Sequence, residues 1–344
     1  MSIHLNRPGL DDIAAAARRP STALVEALAT TSGDIAVVGA AGKMGVSLSR
    51  MAADALASLP GDRRVTAVSR FSDPAARREL DEAGVRTLAL DVSDAEALRE
   101  LPESENLVYM VGRKFGTSAD SSATWFSNVV LPHLVLTRYS DSRVVALSSG
   151  NVYPFSSPVS GGCTEESPYG PIGEYAQSCV GREQVFIHHS RTHRTPVALI
   201  RLNYAIDCRY GVLTDIARAV LDGTPVDVSQ GAVNVVWQGD ANRYCLSALT
   251  IADTPPTVLN VTGPEIVSVR WLAEQLGRRL DREPVLVGDE SDTALLSNAS
   301  KSHALFGYPD VALATMLDWT VEWLLAGGTL LDKPTGFGAR DGKF

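Results

Sequence analysis

Residues 35–38, Ile-Ala-Val-Val, form an unbroken apolar run. That is the pattern of a strand covered on both faces. A glycine-rich turn follows, and apolar positions then recur at helical spacing over 44–59. The same rhythm repeats down the chain. It predicts strands at 65–68, 86–90, 107–111, 144–147 and 197–200, and helices at 74–83, 95–101, 123–139 and 173–191. Strands alternating with helices predict an α/β fold with a doubly wound parallel sheet and right-handed crossovers.

The flanks read differently. Residues 11–19 are Ala-rich and helical, and Ser21 is placed to cap a second helix reaching about residue 30. Residues 1–33 are therefore expected to form a helical N-terminal extension. Past Leu202 the alternation loosens into helices at 213–221, 242–251, 269–280 and 313–325, separated by short strands and Pro/Gly turns. The expected organisation is a main α/β domain over 34–210, with 234–262 returning to it. A smaller substrate lobe comes from 211–233 and 263–332. A Gly- and charge-rich tail covers 333–344, either frayed or folded over a neighbour.

Composition narrows the function. The chain has 344 residues, 45% hydrophobic and 21% charged, which suits an ordinary globular protein. A formal net charge of −9 argues against nucleic acid as a partner, because phosphate binding wants a basic face. Cys163, Cys179, Cys208 and Cys245 lie far apart with no CxxC pair. Free thiols in a reducing cytoplasm are expected, and no metal. Neither a signal peptide nor a membrane-spanning stretch is legible, so a cytoplasmic location and no membrane partner are expected. His188, His189 and His193 fall near a helix end, where cations suit the dipole. Adjacent His188 and His189 face different sides, which argues against a shared metal. Trp319 and Trp323, four apart on an amphipathic helix, read as core.

The turn after the first strand carries the chemistry. Gly39, Gly42 and Gly45 occur in Gly39-Ala40-Ala41-Gly42-Lys43-Met44-Gly45, between a buried strand and a helix. In a Rossmann-type dinucleotide site the first glycine permits the tight turn. The second lets backbone approach the pyrophosphate, and the third allows close helix–strand packing. The phosphates then sit at the positive helix N-terminus, beside Lys43 and Met44. The end of the second strand selects the cofactor. It reads Ser69-Arg70, with no acid before Asp73. A hydroxyl and a guanidinium suit the 2′-phosphate of NADP, with NAD as the alternative. Asp91 stands after the third strand, placed to accept from an adenine amino group or to cap the next helix.

These segments, with Leu90-Asp91-Val92, the strand ending Val111-Gly112, Asn128 and Ser148-Ser149-Gly150-Asn151-Val152-Tyr153, occur in an order that resembles the extended short-chain dehydrogenase/reductase family. That family comprises NAD(P)-dependent epimerases, dehydratases and reductases. Arg201-Leu202-Asn203-Tyr204 and Asn260-Val261-Thr262-Gly263 match later segments, so the likeness spans about 34–326. The resemblance implies that Ser149 and Tyr175 do the chemistry, and that Val92, Val111, Gly112, Asn128, Tyr175 and Asn203 line the cofactor. It further implies a homodimer through the helices near 123–139 and 173–191, with Val129, Val130, Leu131 and Leu134 on the shared face.

One position departs. The family pairs its tyrosine with a lysine four residues on, which orients the nicotinamide ribose and lowers the tyrosine pKa. Here that residue is Cys179. A free tyrosine titrates near pH 10, too high for an efficient base. Cys179 itself reads as a neutral, packed residue. Three outcomes stay open. A cation arrives from elsewhere, Lys114 of Arg113-Lys114 being the candidate at the C-terminal edge of the sheet. Tyr175 works alone on an easy substrate. Or the chain is a non-catalytic dinucleotide-binding regulator.

For the substrate, Lys114, Asn151, Tyr153, Asn203, Tyr204, Trp237 and Gln238 are the candidates by position. Amides and aromatic faces suit a polyhydroxylated ligand. The expected activity is oxidoreduction at a hydroxyl or carbonyl of a polar, sugar-like metabolite, with sugar epimerisation or dehydration as the alternative.

Overall fold

The computed structural model describes residues 9–94, 96–117, 119–332 and 335–343. Six strands in chain order form most of one sheet: β1 (Ile35–Val38), β2 (Val65–Ser69), β3 (Arg86–Ala89), β4 (Asn106–Tyr109), β5 (Arg143–Ser149) and β6 (Val197–Leu202). A seventh, Thr257–Val261, adds beside β6, giving the spatial order β3-β2-β1-β4-β5-β6-seventh. Every neighbouring pair is parallel. The strand order reverses between β1 and β4, and ligands of such sheets bind at that reversal, outside the carboxyl ends.

Helices cover both faces: α1 (Leu10–Ala16), α2 (Thr22–Ala29), α3 (Gly45–Ala57), α4 (Pro74–Glu82), α5 (Ser121–Trp125), α6 (Leu131–Leu136), α7 (Gly173–His193), α8 (Val212–Asp222), α9 (Gln238–Ser247), α10 (Val269–Leu280), α11 (Ser300–Phe306) and α12 (Leu313–Leu325). One apolar layer gathers Val37, Leu48, Met51 and Tyr244 on one face of the sheet. Another gathers Val38, Tyr109, Leu136 and Phe186 on the other. A third cluster is built from α8, α10 and α12.

Residues 9–33 hold the two expected helices, and they are packed in: Leu24 and Leu28 of α2 sit in the sheet's core and Ile13 of α1 in the third cluster. Ser21 does cap α2, accepting from Leu24 N at 3.2 Å. The predicted helix over 95–101 is a short 3-10 turn, Ala97–Glu100, and Ala95 lies outside the described residues. The long helix predicted over 123–139 is interrupted by a π turn, Phe126–Val130, between α5 and α6. Pro132 supplies the cause. It has no N–H to give the carbonyl of Asn128 four residues earlier, and Arg182 Nε donates there instead, at 3.4 Å.

Candidate active site

The glycine turn is built as its spacing requires. Gly39 has φ +95°, and a Cβ there would lie 2.9 Å from the Met110 carbonyl carbon. A Cβ on Gly45 would lie 2.4 Å from the Ala40 carbonyl oxygen, so α3 can start flush against the strand only with glycine. Gly42 differs: its Cβ would meet only Gly39 O, at 3.2 Å. Its missing side chain leaves backbone open in front of the α3 N-terminus, which fits a pyrophosphate. Lys43 arches over the mouth, its Nζ 3.2 Å from the Tyr210 ring centroid and 5.0 Å from that of Phe115.

A cavity of about 210 Å³ runs from Lys43 and Met44 to Ser149 and Tyr175. Ser149 lies at the end of β5. Its Oγ accepts from Asn151 N at 3.2 Å and Asn151 Nδ2 at 2.9 Å. The hydroxyl proton is left to face Tyr175, whose ionised form Ser149 favours. Burial pushes the Tyr175 phenol above its ordinary value, and the neighbouring Cys179 adds to the rise; Arg182 and Ser149 oppose it. Cys179 is fully buried, and burial raises its thiol too. A neutral thiol therefore stands where the family has its lysine.

Lys114 reaches this point from the loop after β4. Its Nζ lies 5.9 Å from the Tyr175 ring centroid and donates to Thr335 O at 3.0 Å. Burial lowers its pKa to about 8, while Cys179 and Asp215 pull the other way. A second cation stands deeper. Arg182 is 5% exposed and lies on α7, three residues past Cys179. Its Nη1 donates to Leu147 O at 3.0 Å and its Nη2 to Asn128 Oδ1 at 2.5 Å. A Cβ on Gly112 would come within 2.5 Å of Nη2, so this glycine lets the β4 loop rest on the guanidinium. The adjacent Glu183 is engaged elsewhere. It pairs with Arg201 at 2.8 Å and accepts from Ser148 and Tyr169.

The other positions expected at the cofactor divide into two groups. Ser69 is half-buried and Arg70 exposed at the end of β2, with the Arg70 charge acting on Asp91. Asp91 accepts from Ser93 N at 3.0 Å and Ser93 Oγ at 2.7 Å, and these bonds hold its carboxyl below the usual range. Val92 is buried beneath, and Val111 packs at Gly39. Asn128 is a correction. Its side chain donates to Arg113 O and Ser178 Oγ and accepts from Arg113 N and Arg182 Nη2. An amide has about four such positions, so none is left for a ligand. It pins the β4 loop to α7.

The expected substrate residues divide as well. Asn151 and Tyr204 line the cavity, as do Gln238 and Asn203. Both N–H donors of Asn203 are taken, by Asn234 Oδ1 at 2.8 Å and Leu295 O at 3.2 Å, which limits its part in binding. The Tyr153 hydroxyl is committed to Asn260 and Arg201, and burial pushes it up to about 12. Trp237 does not reach the cleft: it is buried against Trp319, ring centroids 5.1 Å apart, in the third apolar cluster. On the expected dimer face Val130 is exposed at 41%, with Trp125 and Phe126 beside it, whereas Leu131 points inward at 5%.

Sequence reasoning missed Arg182, Asp215 and Thr335. Arg182 carried a signal, since Cys179 and Arg182 share a face of the same helix as Tyr175. Thr335 carried none: it reaches Lys114 only because residues 335–343 fold back across the cleft. Among the described residues no group of side chains forms a metal site, and no helix is long and apolar enough to cross a membrane.

The fold has many solved counterparts. A dTDP-glucose 4,6-dehydratase from Streptomyces venezuelae, solved with NAD and TYD bound, superposes with TM-score 0.73 at 24% identity, over 85% of this chain and 97% of that one. The Thermus thermophilus UDP-glucose 4-epimerase, in complex with NAD, gives 0.69 at 19% identity, over 84% and 98%. A UDP-glucuronic acid 4-epimerase from Bacillus cereus, in complex with UDP-glucuronic acid and NAD, gives 0.69 at 15%, over 85% and 99%. At these identities the likeness establishes the Rossmann-type fold. No curated protein matches the chain. The model of the NAD dependent epimerase/dehydratase family matches residues 35–232, more than half of the sequence. With its glycine turn, serine and tyrosine in the family's order, the chain belongs to the NAD dependent epimerase/dehydratase family, whose members are enzymes of the extended short-chain dehydrogenase/reductase type.

Proposed function

We propose that the protein is an NADP-preferring oxidoreductase acting on a hydroxyl or carbonyl of a polar, sugar-like metabolite, with Lys114 serving Tyr175 in place of the missing lysine. The observation that carries this reading is the Lys114 ammonium 5.9 Å from the Tyr175 ring, beside a serine whose proton is free to face the phenol. The nicotinamide nucleotide, when bound, supplies or takes the hydride. Gly39, Gly42, Met44 and Gly45 would hold its diphosphate, and Ser69 and Arg70 its 2′-phosphate. Ser149 steadies the substrate oxygen, and Tyr175 gives that oxygen a proton or takes one from it. A positive charge beside the phenol lowers the cost of forming tyrosinate. Lys114 supplies that charge below about pH 8.

The test is direct. Fluorescence titration should show tighter binding of NADPH than of NADH, and Arg70→Ala should remove most of the difference, about 10-fold or more. Incubation with polyols, sugars and oxo-sugars should then change the nicotinamide absorbance. Absence of affinity for either nucleotide would overturn the reading. The NADP preference alone falls if Arg70→Ala leaves the ratio unchanged.

A further inference from the structure

Residues 335–343 cross the cleft as a strap held at three places. Thr335 donates from its N and Oγ to Asp215 Oδ2, at 2.9 and 2.7 Å, and its carbonyl accepts from Lys114 Nζ at 3.0 Å. Arg340 Nη1 donates to Thr293 O at 2.7 Å and Gln230 Oε1 at 3.3 Å, and Nη2 to Thr293 Oγ1 at 3.0 Å. Its guanidinium lies 4.3 Å from the Phe155 ring centroid. Gly342 then seats on the start of α7, so close that a Cβ would lie 2.3 Å from Ile172 O.

Under the strap is a nook of about 20 Å³, bounded by Lys114, Asn151, Tyr153, Tyr204, Gly336 and Arg340 among others. That is room for one or two water-sized groups. Lys114, Asn151 and Tyr204 also line the larger cavity that ends at Tyr175, so the two spaces adjoin. Two cationic side chains line the nook and none of its lining residues is acidic. A guanidinium has five N–H groups. Three of those on Arg340 are used, two on Nη1 and one on Nη2. Nε and the second N–H of Nη2 meet no acceptor among the described residues, and two such donors can take the two oxygens of a carboxylate.

We infer that the strap completes a carboxylate pocket and that the substrate is a small hydroxy or oxo acid of sugar-acid size, not a nucleotide-linked sugar. This rests on the function proposed above, which puts the reacting oxygen at Tyr175. The acid's carboxylate enters the nook against Arg340. The carbon chain lies past Asn151 and Tyr204, and its hydroxyl or carbonyl meets Ser149 and Tyr175. The nook, at about 20 Å³, has no room for a nucleoside diphosphate.

The experiment is ligand-observed NMR and calorimetry on the full chain saturated with the nicotinamide nucleotide it binds. D-gluconate and D-glucuronate are compared with their neutral counterparts D-glucitol and D-glucose, and with UDP-glucose. Each acid is expected to bind at least 10-fold more tightly than its neutral counterpart, and UDP-glucose not at all. Arg340→Gln should erase the acid preference while the nucleotide affinity stays put. A chain ending at Asp332 should lose the preference and admit UDP-glucose; Arg340→Gln decides alone should that chain fail to fold. Equal binding of acid and neutral partner, or UDP-glucose binding to the intact chain, overturns the inference. If no nicotinamide nucleotide binds, the proposed function falls as well; intact nucleotide binding without acid preference sinks this inference alone.

Discussion

The ammonium of Lys114 and the phenol of Tyr175 share one wall of the cleft, 5.9 Å from Nζ to ring centroid, although they come from a β4 loop and from α7. The family's arrangement fixes its cation one helical turn from its tyrosine. Here a residue from another element occupies that neighbourhood, and burial lowers its pKa to about 8.

Lys114→Met is expected to reduce kcat about 100-fold, the lower end of the range for losing acid–base assistance. The variant should fold at least as stably near pH 7, because a poorly solvated charge is gone. Steady-state kinetics and thermal melts check both halves. An unchanged kcat would remove Lys114 from the chemistry.

The pH dependence follows from the sign of the shift. The folded-state pKa of Lys114, about 8, lies below the ordinary 10.5, so the unfolded chain binds this proton more tightly. The stability contributed by the shift is present above pH 10.5 and is lost as pH falls through about 8. It amounts to on the order of 3 kcal/mol for a shift of this size. Melts of the wild type against Lys114→Met should show the gap opening as pH falls from about 10.5 to about 8 and staying constant below that. Catalysis should run the other way, kcat falling as pH rises past 8 and the ammonium loses its proton. Lys114→Arg should keep the charge and push that fall to higher pH. Superimposable profiles would contradict the assignment.

The three glycines of the turn should separate binding from folding. Gly42→Ala meets only one carbonyl oxygen, at 3.2 Å, so it should leave Tm nearly unchanged. Its methyl should weaken nicotinamide nucleotide binding 10-fold or more by standing where the backbone approaches the diphosphate. Gly45→Ala drives a methyl to 2.4 Å from Ala40 O and should destabilise the fold by about 1–3 kcal/mol. Nucleotide affinity of Gly42→Ala equal to the wild type would show that the turn does not hold the ligand.

Arg182 should behave as a positioning residue. No described carboxylate pairs with this 5% exposed guanidinium. Removing it leaves the acceptors on Leu147 and Asn128 unpaired, at a cost of about 1–3 kcal/mol. Arg182→Met is therefore expected to lower Tm and, beyond that, to raise the apparent pKa of the Tyr175 step, because a charge favouring tyrosinate is removed. A large fall in Tm with an unaltered pH–rate profile would assign Arg182 to the fold alone.

Much of this was legible in the chain. Apolar runs such as Ile35–Val38 and the helical spacing of Gly45–Ala57 follow local periodicities, so the alternating architecture could be read directly. So could the glycine turn, whose three positions are dictated by backbone clearance. Ser149, Tyr175 and the anomalous Cys179 were likewise fixed by order along the chain. Contacts between distant segments were not. Asn128 looked like a cofactor residue until Pro132, Arg182 and Arg113 were seen to consume its environment, and Trp237 looked like a cleft residue until Trp319 covered it. The strap of 335–343, the descent of Lys114 onto Tyr175 and the anchoring of Arg340 on Thr293 are long-range packing outcomes. Periodicity along a chain records which face of an element is buried, but not which element buries it. Sequence thus determined the scaffold and the order of its serine and tyrosine, and tertiary structure decided which cations surround them and how much room the cleft keeps.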